Sequence, residues 1–152
     1  MTPNRRELRQ NRPVPEPKET KRNERVRSGS PYEERYGFCR AIRRGRRVEV
    51  AGTAPIPRAG EVLATDAYRQ MLRCGEIAVE AMARLGARPE DVVRTRMYIT
   101  DTAYADEVGR AHRELFGGGP PVTTMIVTQL LDPNWKVELE VEAEIASEEE
   151  VS

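Results

Sequence analysis

Four glutamates at every second position, Glu138, Glu140, Glu142 and Glu144, form the densest set of groups in this sequence that could hold or move a proton. They alternate with Val137, Leu139, Val141, Ala143 and Ile145, so a strand from Val137 to Ile145 presents an anionic face and an apolar face. Like charges at neighbouring positions of a sheet repel, so the acidic face needs cations opposite it or water around it. A second candidate strand, Val92 to Thr100, carries Arg94, Arg96 and Tyr98 on one face, and guanidinium pairs with carboxylate in a fork. Two readings stay open: a structural or solvated ladder of charge, and a pocket lined by one of the carboxylates. The rest of the chemical inventory is thin. His112 is the only histidine and reads as a structural residue on a helix flank. With Cys39 and Cys74 the only thiols, no zinc set or disulfide framework can be built, and neither a metal nor a cofactor is expected. There is no G-x-S-x-G, no phosphate-cradling loop and no C-x-x-C. The run Gly117 to Gly119 follows a helical pattern, so it offers no helix N-terminus to an anion.

These groups need elements to hold them. Thr123 to Leu130 is rich in β-branched residues behind Pro120 and Pro121, and with Val137 to Ile145 it reads as two strands facing each other across a Pro-containing loop. Tyr36 to Ile42 and Arg47 to Gly52 read as a hairpin turning at Gly45. Thr65 to Leu85 is the long helix, with Met71, Cys74, Ala78, Ala81, Met82 and Leu85 on one stripe, a cap at Thr65 or Asp66, and Gly86 and Pro89 behind it. This crossover predicts that Val92 to Thr100 pairs in parallel with an earlier strand. A second helix, capped by Asp101 or Thr102, runs to Phe116 with Val108 and Leu115 inward. The order strand, strand, helix, strand, helix, strand, strand is that of an α+β domain, a mixed sheet with two helices on one face.

At 152 residues the chain has the size of one domain, with an uncharged total that hides segregation. Residues 1–27 hold nine Lys or Arg against four acids, and the remainder is net acidic by five. Prolines and charges dominate residues 1–29, which predicts a flexible basic tail before a domain over residues 30–146 and an acidic tail over 147–152. A basic arm for nucleic acid is the weaker reading, because the charges are mixed in sign and no aromatic residue interleaves with them. No apolar run is long enough to cross a membrane. A soluble, cytoplasmic protein is expected.

The prolines, the threonine-rich strand and the final L-x-D-P-x-x-x-V-E-x-E resemble the Rid family, the YjgF type of reactive intermediate deaminases. Tyr36 to Ile42 (YGFCRAI), Val48 to Thr53 (VEVAGT) and Arg94 to Asp101 (RTRMYITD) agree with it in order. The resemblance implies a chorismate-mutase-like fold whose sheets close into a barrel as a homotrimer, with a small-molecule ligand in clefts between subunits. It also implies an enamine or imine deaminase, with Glu138 as the catalytic carboxylate and Gly52 admitting close approach of the ligand. This chain departs from the family at other pocket positions. Where the deaminase branch has P-A-R-S or P-A-R-T, with an arginine for the substrate carboxylate, this chain has Pro121-Val122-Thr123-Thr124. Phe38 stands for the tyrosine that follows the glycine, and Gly109 for an asparagine on the second helix. The expected substrate-binding set is therefore Phe38, Arg40, Gly52, Arg96, Thr123 and Thr124, with Arg40 and Arg96 as substitute anchors. Three functions remain open: hydrolysis of an atypical enamine or imine, non-catalytic binding of a metabolite or partner in the same cleft, and nucleic-acid binding through the basic arm.

Overall fold

The structure is a computed structural model that describes residues 24–147. The tail expected before residue 24 and the acidic residues after 147 lie outside the described residues. A six-stranded sheet runs in the order β1, β2, β3, β6, β4, β5. Its strands are β1 (Arg25–Val26), β2 (Ala41–Arg44), β3 (Arg47–Thr53), β4 (Val92–Ile99), β5 (Val122–Val127) and β6 (Val137–Glu144). A short helix α1 (Pro31–Tyr36) precedes β2, while α2 (Ala67–Arg84) and α3 (Ala105–Phe116) are the long ones.

The alternation in β6 acts as expected: Val137, Leu139, Val141 and Ala143 are buried, and they meet Ile99, Met97, Thr95 and Val92 of antiparallel β4. Both long helices cover this apolar face. The Cys74 thiol of α2 lies 3.8 Å from the Val137 carbonyl, and His112 of α3 bonds Thr95. The helices touch each other closely at Gly75, where any side chain would collide with Leu115. Asp66 caps α2 by accepting from the Arg69 amide, and Asp101 caps the single turn before α3.

Three expectations are corrected. The strands β5 and β6 do not face each other, because β4 lies between them, parallel to β5 and antiparallel to β6. For the same reason β4 pairs in parallel with a later strand and not with an earlier one. The charge pattern explains the choice: beside β6, Arg94 stands opposite Glu142 and Arg96 opposite Glu140, a match β5 cannot offer. The strand expected from Tyr36 begins only at Ala41, since Ser30 caps Pro31 into the short helix α1 and Gly37, at φ 75°, ends it. The strand β1 was not anticipated. Arg25 and Val26 pair with Ile42 and Ala41, and Val26 is buried in the core.

Candidate functional site

A cleft of about 390 Å3 is lined by the segment from β1 through α1, by the end of β3 at Gly52 and Thr53, and by Arg73, Ile77 and Arg84 of α2. Phe38, Arg40, Gly52 and Glu138, all anticipated from sequence, line it together, as do Tyr32 and Trp135. Each is positioned by a local feature. The register of β3 against β6 shifts between Val50 and Thr53, and this bulge carries Gly52 beside the side chain of Glu138. A Cβ at position 52 would lie 3.0 Å from Glu138 Oε1, so the missing side chain is what lets the carboxyl rest against the strand.

The Glu138 carboxyl is half-buried. Burial pushes its pKa above the ordinary glutamate value, the Arg40 charge pulls it back, and Glu140 pushes it up again. Glu140 accepts from the Tyr98 hydroxyl at 2.7 Å and lies 3.6 Å from Arg96, whose Nη1 also reaches Glu142 at 3.0 Å. The ion-paired ladder is therefore real for Glu140 and Glu142, and Glu138 is the exception that faces the cleft.

Arg40 is 5% exposed. Its Nη1 donates to the Gly52 carbonyl at 2.6 Å and to Thr53 Oγ1 at 3.1 Å, and its Nη2 lies 3.5 Å from Glu33 Oε2. Glu33 is buried as well, and it accepts from the Ser28 amide at 3.0 Å and from the Ser28 hydroxyl. Burial alone would raise the Glu33 pKa, but the two Ser28 hydrogen bonds and the Arg40 guanidinium outweigh it and hold it below the ordinary value.

The remaining anticipated residues sit elsewhere. Arg96 belongs to the ladder just described. The Thr123 hydroxyl donates to the Thr95 carbonyl at 3.2 Å and meets Thr95 Oγ1 at 2.7 Å, which in turn lies 2.7 Å from His112 Nε2. Burial holds the His112 pKa below its usual value. Thr124 is exposed on β5. Sequence reasoning missed Tyr32, Glu33 and Trp135. It also missed Gln70, a buried amide that donates to the Ala64 and Asn134 carbonyls and accepts from the Lys136 amide at 2.7 Å, tying down the loop that carries Trp135. A glutamine on the apolar stripe of α2 was the available signal. Tyr32 stacks on Tyr36 and meets Trp135 edge-on, both at 5.9 Å between centroids, giving the cleft an aromatic wall.

Among the described residues no group of His, Cys, Asp and Glu could hold a metal, and no helix is long and apolar enough to cross a membrane. Cys74 is fully buried, and that burial, with the nearby Glu138 charge, pushes its thiol pKa up.

An uncharacterized protein of Streptomyces coelicolor is 46% identical over 122 residues, covering 78% of this chain and 90% of its own length. A RutC family protein of Pyrococcus abyssi is 28% identical over 104 residues, covering 68% and 82%. Among solved structures, a Mycobacterium tuberculosis member of the YjgF/YER057c/UK114 family superposes with a TM-score of 0.74 at 38% identity, over 81% of this chain and 99% of that one. The model of the family described as Endoribonuclease L-PSP matches residues 31–145, and the chain belongs to this family, the YjgF or Rid type.

Proposed function

We propose that this protein hydrolyses a small enamine or imine to a carbonyl compound and ammonia, with Glu138 as the acid and base of the reaction. The observation that carries the reading is the half-buried Glu138 carboxyl, raised in pKa and resting against Gly52 in an aromatic-walled cleft. In the protonated state Glu138 delivers its proton to the imine nitrogen as water adds to the imine carbon. The resulting carboxylate takes a proton from the added water, leaving a neutral carbinolamine; Glu138 then returns that proton to the amino nitrogen and accepts the hydroxyl proton as the C–N bond breaks and ammonia departs. Atoms and charge balance without a cofactor.

The working form in this reading is a homotrimer with the cleft completed by a neighbouring subunit. Its support is β5, the last strand of the sheet, where Val122, Ile126 and Val127 are 57%, 43% and 49% exposed beside an edge with no further strand among the described residues. The substrate lacks the carboxylate of ordinary 2-imino acids, because Thr123 stands where the deaminase branch has its arginine and its hydroxyl is spent on Thr95. Arg40 is no free substitute, since its fork is filled by Gly52, Thr53 and Glu33. That same loss supports a second reading, a cleft that binds a metabolite without turning it over.

The test is carbonyl and ammonia release from imines generated in situ by an amine oxidase and, separately, by an amino-acid oxidase. Turnover of the carboxylate-free imines that falls at least about 100-fold in Glu138→Gln supports the reading. Faster turnover of 2-iminobutyrate than of any carboxylate-free imine refutes the substrate assignment, and binding without turnover, read from the emission of the single tryptophan Trp135, favours the second reading. RNA incubated under the same conditions is expected to stay intact.

A further inference from the structure

The contacts of Arg40 reach beyond its own ion pair. Gly52 is held from two sides: its carbonyl accepts from Arg40 at 2.6 Å, and the Glu138 carboxyl lies against the space where its side chain would be. The neighbouring Thr53 hydroxyl accepts from the same guanidinium and donates to the Ala51 carbonyl at 2.7 Å, so the whole bulge is fixed by one side chain. Arg40 is in turn fixed by Glu33, which Ser28 holds through backbone and side chain. Its Nε has no hydrogen-bond partner, a cost that ion-pair strength alone does not explain, since apolar residues often replace buried pairs without loss of stability.

We propose that Arg40 is the positioning residue of this cleft: it clamps the Gly52–Thr53 bulge on which Glu138 rests and supplies the positive charge that faces the Glu138 carboxyl. Glu33 and Ser28 hold the clamp, which couples the acid of the cleft to the segment formed by β1 and α1. The inference builds on the reading of Glu138 as the acid of the reaction. Arg27 and, from α2, Arg73, Glu80 and Arg84 also line the cleft, with Arg73 bound to the Ile56 carbonyl and to Glu76, but Arg40 is the cation whose charge acts on the Glu138 carboxyl. Glu140 on the same strand is anionic, Tyr98 stands opposite on β4 and is committed to Glu140, and Cys74 of α2 is a neutral buried thiol. The effect on Glu138 is electrostatic and opposes the burial of its carboxyl.

The experiment measures the Glu138 titration directly, by carbon NMR of the full-length protein labelled at glutamate side-chain carboxyls, with the resonance assigned by its loss in Glu138→Gln. Arg40→Gln is expected to move the midpoint upward by about one pH unit, as removal of a facing cation does. Arg40→Lys keeps the charge but lacks the fork that reaches Gly52 and Thr53 together, so a smaller upward move is expected. Should Arg40→Gln not fold, Arg40→Lys carries the test. A midpoint unchanged from the native protein in whichever of the two folds overturns the proposal. Because the titration is read without substrate, absence of imine turnover in the native protein would sink the proposed reaction while leaving this clamp standing. If turnover is found, Arg40→Gln extends its activity to higher pH, since Glu138 then stays protonated further up the scale.

Discussion

The Glu138 carboxyl oxygen lies 3.0 Å from the point where a side chain on Gly52 would begin. The two residues come from β3 and β6, and a bulge brings them together, so the glycine is a fitting piece of the cleft. Gly52→Ala places a methyl against the carboxyl, which must swing away by a few tenths of an ångström. The carboxyl is the end of a flexible side chain, so the stability cost is expected to be at most about 1 kcal/mol. The functional cost is larger, at least about 10-fold in turnover or ligand affinity, because acid and water lose their relative position. Calorimetry beside the turnover assay checks the split. Equal, small losses in both would show that the close approach has no functional role.

The raised pKa of Glu138 gives a pH signature. The native state holds this proton more tightly than the unfolded chain does. The contribution of the group to stability therefore falls as pH rises from the ordinary value of 4.5 to the raised folded value. Glu138→Gln cannot ionise and escapes that loss. Its melting temperature relative to native protein is expected to climb by a few degrees across that window and to stay level below it. Melting curves from pH 3 to pH 8 measure this, and a difference independent of pH contradicts it.

Glu33 should behave in the opposite sense. Its pKa is held down in the folded state, so its stabilisation is present above the ordinary glutamate value and disappears as pH falls through the folded value. Glu33→Gln leaves the buried Arg40 without its countercharge, and a loss of about 3 kcal/mol is expected at neutral pH. Denaturant titrations at pH 7 and pH 3 should show that loss shrinking in acid. A loss of the same size at both values would trace the effect to packing.

Truncation tests where the domain begins. Deleting through Arg27 removes β1 and the buried Val26, whereas deleting through Asn23 spares both. Burial of one valine is worth about 2 kcal/mol, so the longer deletion should melt several degrees below the shorter one. Identical melting temperatures would show that β1 adds nothing to the stability of the fold.

The sequence by itself determined every element whose signal is local. The strict alternation of β6, the stripe of α2 between Asp66 and Leu85, and the turn at Gly45 each follow from side-chain period or backbone freedom within a few residues. The complementarity of Arg96 with Glu140 and Glu142 was legible too, because both rows carry uncompensated charge and each needs the other. Resemblance to the Rid family picked out Gly52 and Glu138. Only the tertiary structure decided which strands are neighbours. The loop before β6 is equally able to form a hairpin with β5 or to pass beyond β4, and pairing energy between distant segments, which is invisible in either alone, makes the choice. The same reason hid Glu33 and Ser28. In sequence Ser28 falls in the expected tail and Glu33 just beyond it, and they become partners because Arg40, seven positions after Glu33, reaches both Glu33 and Gly52. Thr123 was ambiguous for a related reason. A threonine on an edge strand satisfies its hydroxyl wherever a partner stands, and the parallel pairing with β4 supplies Thr95 directly opposite it. Burial and hydrogen-bond partnership are properties of the assembled chain, so the cleft could be read from sequence at its carboxylate and glycine but not at the ion pair that holds them.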